Sequence, residues 1–537
     1  MVLNNIYLEK ILKEIPRILG LLDKNIASPT FGCFDRNFWH YNISDFPCAR
    51  FQEAVLTLSL LYSLDFPNNI YFQNNIILSY INAGINFWCK IQKRDGSFDE
   101  WYPNEHSFVA TAFSSYAISE ALLLLKEKIK DKEKILEHLS HAGDFLIKNE
   151  DFTAVNQIAG SIIALYNIYL LTSDEKYNQG AKTKLEKLRN IQKEEGWFPE
   201  YGGPDIGYLS LLIDYLAKYH KKTKNERAKK IIEKALDFLV YFSHPDLSFG
   251  GEYGSRNTKY IIPSGIEYSA HFSKSARMIL TTLRKALSSD LSIGPYNLDD
   301  RYLAYIGYTY IQAYYDFYHG DLEAPIYERE FYRYFPESGI IVKSNKNFYV
   351  IGNLRKGGAL KIDFKKNNRS LRDSGPVICI KNKIYAPSLD SYSHIHVNEK
   401  FETENKLSKI SFTKMTPFKN LIFKLFQITF GRNKFIGFCV KKILRDLLIP
   451  YKKRGKILAI RKIYVEEDKI VLEDEIFSKN KIDRIILGIE NPYIFIPSSR
   501  YFQIQELNTY MHLIDINKDH VKIRREYNVE GEEKFIY

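Results

Sequence analysis

Tryptophan is scarce in this chain of 537 residues: there are four, Trp39, Trp88, Trp101 and Trp197, all within the first 200 positions. The remainder has none, so the two halves are expected to do different work. Cysteine is scarce as well. The five (Cys33, Cys48, Cys89, Cys379, Cys439) are scattered, odd in number and never at metal-ligand spacing. That excludes a zinc-ribbon site and a disulfide framework, and it fits buried thiols in a reducing compartment. No continuous apolar run approaches the ~18–20 residues that span a bilayer. The opening stretch MVLNNIYLEKILKEIPRILGLL is an amphipathic helix broken by charges, without the apolar centre of a secretory signal. The expected location is cytoplasmic. Helix-turn-helix, zinc and RNA-binding signatures are missing too, which argues against nucleic acid as a partner.

Aromatic side chains, by contrast, are plentiful: 15% of the chain, with 39 Tyr and 35 Phe. Some of that excess packs cores and some can line a groove, because Tyr has a flat apolar face and a polar tip. The formal net charge is +12, with basic runs at His220–Lys230 and Lys365–Arg369. Such a surface suits a polyanion, although solvated Lys-rich faces account for much of it.

The apolar period changes along the chain. From about residue 3 to 318 it is helical, as in Ala54–Leu64, Phe108–Leu125, Ile158–Leu171 and Tyr208–Tyr219, and eleven or twelve helices are expected. From about Tyr327 the period is two. Ser338–Leu354 and Lys456–Ile476 each read as strand, polar turn, strand. The helical part also repeats itself. IQKRDGSFDEWYPNEHSF (Ile91–Phe108) returns one hundred positions later as IQKEEGWFPEYGGPDIGY (Ile191–Tyr208), with a weaker echo at Ser248–Tyr260. Repeated helical hairpins can close into a ring whose equivalent loops emerge at one end. The expected fold is therefore α+β and multidomain: an α/α toroid of helical hairpins over residues 1–320, then an antiparallel β-sandwich over 327–537. The Gln-x-x-x-Gly-x-aromatic pattern (Gln92, Gly96, Phe98; Gln192, Gly196, Phe198) resembles the repeats of triterpene cyclases, which are toroids too. With no Asp-rich ionisation motif beside it, the pattern implies fold rather than chemistry.

Chemistry-bearing residues gather where these loops meet the next helix. They are Trp39 and His40; Arg50; Trp101, Asn104 and His106; Gln157; Trp197, Tyr201 and Tyr208; and Arg256, Asn257, Tyr260 and Glu267. Plain helix caps call for Ser, Thr, Asp and Asn, not for His, Arg, Tyr and Trp together. Asn104-Glu105-His106 at a helix start, Pro204–Tyr208 leading into an apolar helix, Glu252–Glu267 and the Lys356-Gly357-Gly358 turn give the resemblance. The chain resembles the heparinase II/III-like polysaccharide lyases, in particular the branch associated with bacterial surface polysaccharides. The resemblance implies a toroid followed by a sandwich, an Asn-x-His element at Asn104 and His106, and a catalytic tyrosine at Tyr208. It also implies a partner, an acidic polysaccharide or oligosaccharide; no cofactor is expected for this chain.

A lyase of this kind removes the C5 proton beside a uronate carboxylate and expels the O4-linked sugar. Asn104, with Arg256 or His106, can neutralise the carboxylate. Tyr208 can supply the acid, or both acid and base, and His106 the base for one sugar epimer. Trp39, Trp101, Trp197 and Tyr201 can stack on sugar rings, with His40, Arg50, Gln157, Asn257 and Tyr260 as further substrate contacts. Glu267 reads first as an ion-pair partner and second as a substrate contact. Two other readings stay open: a glycoside hydrolase using two of Glu100, Glu200, Asp205 and Glu267 across the same cleft, and a non-catalytic glycan-binding or assembly factor. His394 and His396 read first as a solvated strand face and second as a contribution to the cleft, with two His alone a weak sign of metal. The basic, aromatic stretch Phe418–Lys456 reads as strands and a short helix covering the sandwich, with docking on an anionic membrane surface as the lesser alternative.

Overall fold

The computed structural model describes residues 6–536 except 368, 390–392, 398–399, 411–415, 434–435, 438, 441–454, 491, 494–500 and 509–510. Fourteen described α-helices precede the first strand. They are α1 (Ile6–Leu12), α2 (Ile15–Leu21), α3 (Arg36–Trp39), α4 (Ala54–Ser63), α5 (Asn75–Ile91), α6 (Phe108–Leu125) and α7 (Lys132–Lys148). Next come α8 (Asn156–Thr172), α9 (Glu175–Ile191), α10 (Ile206–Thr223), α11 (Glu226–Leu239), α12 (Pro263–Ser269), α13 (Lys274–Ser288) and α14 (Asp300–Tyr315). The count exceeds the expected eleven or twelve partly because the amphipathic opening stretch is two helices. Pro16, in the first turn of α2, cannot continue α1.

Every second helix faces inward. α4, α6, α8, α10, α12 and α14 pack each against the next, and α14 returns to α4, so the ring closes. The helices between them form the outer layer. Helix α6 shows why apolar length alone misleads. It is long and apolar enough to cross a membrane, yet 78% of that span is buried inside the ring. An inner helix of a toroid touches protein on all sides and needs no polar face.

Because the inner helices all run the same way, the connections alternate between two ends. Those leading from inner to outer helices are short, such as 173–174 and 224–225. Those leading inward are long, such as 92–107, 192–205 and 243–262. The long loops therefore share one end, and the β part sits over it. Lys356 Nζ donates to the carbonyls of Glu252 (2.6 Å) and Gly254 (2.9 Å) and pairs with the Glu252 carboxylate. Asn353 Nδ2 donates to Tyr253 O, and buried Lys361 bridges Asp246 and Asp363. Lys356-Gly357-Gly358 thus fastens the sheet to the loop before α12.

The β part has two antiparallel sheets. Five strands from Phe331–Phe335 to Arg369–Asp373 pair in sequence order. Eight form the second sheet around the long pair Lys469–Leu487 and His512–Asn528. Ile341, Phe348, Val350 and Ile362 from the first meet Phe401, Ile463, Leu472 and Tyr527 from the second, which makes a sandwich core. The two hairpins read from the sequence are present: Ile340–Ser344 pairs with Phe348–Asn353, and Ile457–Val465 with the start of Lys469–Leu487.

Part of Phe418–Lys456 is a helix, α15 (Pro417–Ile428); residues 441–454 lie outside the described residues. The expectation that its helix covers the sandwich is corrected. α15 turns its polar and aromatic side to the toroid loops and its apolar side to solvent. His394 and His396 lie exposed on one strand opposite Glu404 and Glu402. Among the described residues no group of three His, Cys, Asp or Glu is arranged to hold a metal.

Candidate active site

The repeated loops are fastened in the same way. Gln92 Nε2 donates to the carbonyls of Gly96 (3.1 Å) and His138 (2.8 Å). Gln192 Nε2 donates to those of Gly196 (3.0 Å) and Ile231 (3.0 Å). Gln52 Nε2 repeats the bond pattern on Gly32 and Gly84, a third copy that the sequence pattern does not reveal because Gln52 follows its glycine. Gly96 and Gly196 have φ of +85° and +104°, and a Cβ on either would overlap the carbonyl oxygen of His141 or Lys234. Glycine is required there twice over, by the left-handed backbone and by the neighbouring helix.

The first loop spends its carboxylates on itself. Asp99 accepts from the backbone N–H groups of Asn104 (2.9 Å), Glu105 (2.9 Å) and His106 (3.2 Å), and pairs with Lys93 at 2.8 Å. Glu105 Oε2 accepts from the N–H groups of Glu100 and Trp101. This lattice holds Asn104 and His106 at φ of +61° and +51°, an unfavourable setting for a histidine. His106 Nδ1 lies 2.8 Å from Ser97 Oγ and 2.9 Å from Asp95. Burial raises the Asp95 carboxyl, but the bonds from His106 and Ser97 outweigh it and hold it below the usual carboxylate range. His244 makes the same contact with Ser248 (2.9 Å) in the third loop, where burial keeps it neutral. Trp101 is half exposed, with the Arg301 guanidinium 4.2 Å from its ring centre.

The second loop organises other groups. Asp205 caps α10: its Oδ1 accepts from Tyr208 N (3.2 Å) and from Thr258 Oγ1, its Oδ2 from the N–H groups of Arg256 (3.1 Å) and Thr258 (3.3 Å). One buried carboxylate thus fixes Tyr208 and Arg256 relative to each other. The Arg256 guanidinium stacks 3.9 Å above the Tyr201 ring, a cation–π contact. Tyr201 itself has a positive φ of 54°, as does Asn257. Tyr208 is half-buried, and its hydroxyl makes no hydrogen bond to any described residue. Burial, then the neighbouring Tyr302, Tyr260 and Tyr201, push this phenol well above its ordinary pKa, while Arg256 pulls it down. It carries its proton at neutral pH.

Beneath these groups lies Glu200. Its Oε1 accepts from the backbone N–H (2.8 Å) and the side-chain amide (2.9 Å) of Asn156, capping α8 from a different loop. Its Oε2 is buried without a hydrogen-bond partner among the described residues. Burial raises it to about 8, the bonds from Asn156 offsetting only part of the cost. Arg50 lies alongside, 2.6 Å from Glu53, 3.6 Å from Glu100 and 3.7 Å above the Tyr305 ring. Burial pushes Glu53 up to about 7 despite Arg50. Helices α6, α8, α10, α12 and α14 all start at this end, so their positive dipole ends converge where an anion would lie.

This architecture can be matched to known proteins. A family profile described as Ulvan lyase N-terminal domain matches residues 49–263. The Streptomyces coelicolor A3 chondroitin AC lyase, solved with chondroitin sulphate, superposes with a TM-score of 0.56 at 8% identity, covering 97% of this chain and 79% of that one. The chain has the fold of the α/α-toroid polysaccharide lyases. A Paenibacillus xanthan lyase superposes with a TM-score of 0.52 at 10% identity, over 97% of this chain but 57% of the larger enzyme. A heparan sulfate lyase from Pedobacter heparinus is more distant, at 0.41 and 7% identity over 90% and 81% of the two chains. No curated protein matches the sequence.

Within this lyase fold the sequence-nominated residues separate. Tyr208, Arg256, Tyr201 and Tyr260 come together, with Arg50 within electrostatic reach of Tyr260. Gln157 is half-buried at the start of α8, just after Ala154, which bridges to Glu200. Asn104, His106 and Trp101 lie on the first loop, where Asn104 Nδ2 is 3.5 Å from Gln427 O of α15. Trp39 donates from Nε1 to Leu21 O, and His40 is exposed beside it. Asn257 is buried, its amide donating to Glu252. One nomination is corrected, and Glu267 takes its first reading, the ion pair, over the substrate contact. Trp197 is buried, with Nε1 bonded to Glu195, so it anchors its loop rather than offering a face to a sugar. Glu267 is fully buried in a bidentate pair with Arg284 and accepts from Tyr7, so it locks α12 to α13 and α1. The sequence reading missed Arg301, Tyr302 and Tyr305. They share one face of α14 at helical spacing, a signal hidden among many tyrosines.

Proposed function

We propose that this protein is a polysaccharide lyase that cleaves an acidic, uronate-containing glycan by β-elimination. The observation that carries the reading is Tyr208: a protonated phenol with no hydrogen-bond partner among the described residues, beside Arg256, at the end of the ring where five helix N-termini converge. In the reaction, Arg256 and the amide of Gln157 or Asn104 neutralise the uronate carboxylate, which makes the C5 proton removable. The C5–H bond breaks and its electron pair forms the C4=C5 double bond. The C4–O4 bond breaks, and Tyr208 delivers a proton to the departing O4. For the base, His106 is favoured by its Nδ1 contact with Asp95. With that nitrogen protonated, Nε2 is left as the acceptor. Tyr201 contacts the sugar, buried Arg50 and Tyr260 support the cleft floor, and Trp101 with Arg301 forms a stacking edge.

The fold likeness and the matched profile support this reading, and the solved chondroitin AC lyase shares its architecture while holding an acidic glycan. We further assign the chain to the heparinase II/III-like branch tied to surface-polysaccharide metabolism, on the strength of Asn104-Glu105-His106 and Tyr208. Five free cysteines support a cytoplasmic site of action. The hydrolase alternative is less well served: the raised Glu200 would suit a general acid, but Glu267 is locked to Arg284, Asp205 caps a helix and Glu100 pairs with Arg50, which leaves no uncommitted carboxylate among the candidates to oppose it.

The test is a panel of uronate-containing polysaccharides read in two ways. Elimination yields new reducing ends together with ultraviolet absorbance from the unsaturated uronate. Reducing ends without absorbance would make the protein a hydrolase. Glycan binding with neither product would make it a non-catalytic assembly factor.

A further inference from the structure

Helix α15 breaks the ordinary rule for a surface helix, which buries its apolar stripe and shows its polar one. Phe418, Leu421, Ile422, Leu425 and Ile428 lie on one face, followed by Phe430, and each of the six is more than half exposed. The opposite face is the mounted one. Phe423 packs edge-on against Tyr102 at 5.9 Å, Lys424 pairs with Asp45 at 2.6 Å, and Gln427 O lies 3.5 Å from Asn104 Nδ2. The helix is thus held by its polar side at the mouth of the cleft and directs its apolar side away from the protein.

Charge indicates what that face meets. Between residues 417 and 456 the sequence has eleven Lys or Arg and one Asp, a net +10 out of +12 for the whole chain. Within the helix and its following turn, Lys419, Lys424 and Arg432 are the charged residues and none is acidic. A soluble acidic glycan would account for the charge but not for six exposed apolar side chains. A second copy of the chain would account for the apolar face but would meet the same positive charge. An anionic bilayer satisfies both, since apolar side chains enter the acyl boundary while Lys and Arg face the headgroups.

We propose that α15 docks the protein on an anionic lipid surface and holds the mouth of the cleft against it. The test is sedimentation of the full chain with vesicles of phosphatidylcholine alone or mixed with phosphatidylglycerol. The wild type should bind the anionic vesicles at least about tenfold more tightly, and high salt should weaken the binding. Leu421→Ser with Leu425→Ser should lower it by about tenfold or more. Lys419→Glu with Arg432→Glu should abolish the preference for phosphatidylglycerol. All four positions are exposed, and melting curves recorded alongside should show that each variant still folds. The proposal is overturned if the wild type stays in the supernatant, or if the serine variant binds as well as the wild type. It is also overturned if light scattering finds a dimer that the serine variant converts to monomer, which would assign the face to a second copy.

Discussion

The loops Asp95–His106 and Glu195–Tyr208 start from the same frame and finish differently. Both hang from a Gln that bonds across to the next outer helix, and both turn on a glycine pressed against that helix. Beyond the turn, the first loop directs Asp99 and Glu105 inward to its own backbone, and its histidine is held by Asp95 and Ser97. The second uses Asp205 to hold Tyr208 and Arg256 together and leaves the Tyr208 phenol without a described partner. The duplicated part builds the ring, and the chemistry occupies the part that diverged. A repeat therefore locates a cleft before it identifies a catalyst.

That contrast can be attacked at several points. Arg256→Ala should cost about 10³-fold in kcat/KM on a uronate polysaccharide, and Arg256→Lys should recover little, because a point charge cannot stack on Tyr201 as a guanidinium does. The frame should fail equally in both copies. Gly96→Ala and Gly196→Ala should each destabilise by at least about 2 kcal/mol in chemical denaturation, since each adds a left-handed penalty and a backbone overlap. Unequal losses would mean that the loops are not mechanically equivalent.

Glu200 gives the second loop a pH signature, which Glu53 shares in sign but over a narrower range. Its folded value of about 8 exceeds the ordinary 4.5. Between those values the native state keeps a proton that the unfolded state has lost, so stability falls as pH rises from 4.5 through about 8. Glu200→Gln should flatten that slope and leave the variant more stable than the wild type above pH 8, by a few kcal/mol. The smallest effect is expected at the first loop. Asn104→Ala removes one donor to the uronate carboxylate, a role that Gln157 can fill in part, and should lower kcat/KM about tenfold.

The ring and the sandwich were legible because both are written in local period: helical spacing to about residue 318, alternation after Tyr327, and a hundred-residue repeat. The fastening residues Gln92, Gln192, Gly96 and Gly196 were visible for the same reason. The site was only half legible. Tyr208 stands at a helix start in the repeat and Arg256 in its echo. Trp197 and Glu267 look identical in sequence to a sugar platform and a substrate contact, and what separates them is burial, with Trp197 bonded to Glu195 in its own loop and Glu267 paired with Arg284 on the next helix. Arg301, Tyr302 and Tyr305 join the cleft only because α14 closes the ring on α4, about 250 residues away in sequence. Long-range closure leaves no local trace.

The most direct measurement sets the two loops against each other. The rate of unsaturated uronate release should be followed for wild type, Tyr208→Phe and His106→Ala on one responsive polysaccharide, with melting curves to show that all three fold. Tyr208→Phe is predicted to lose about 10³-fold or more in kcat and His106→Ala about 10²-fold, because both groups move a proton in the transition state and water replaces the base better than it replaces the phenol. Full activity in Tyr208→Phe, or a loss confined to His106→Ala, would contradict the assignment of the leaving-group proton to Tyr208.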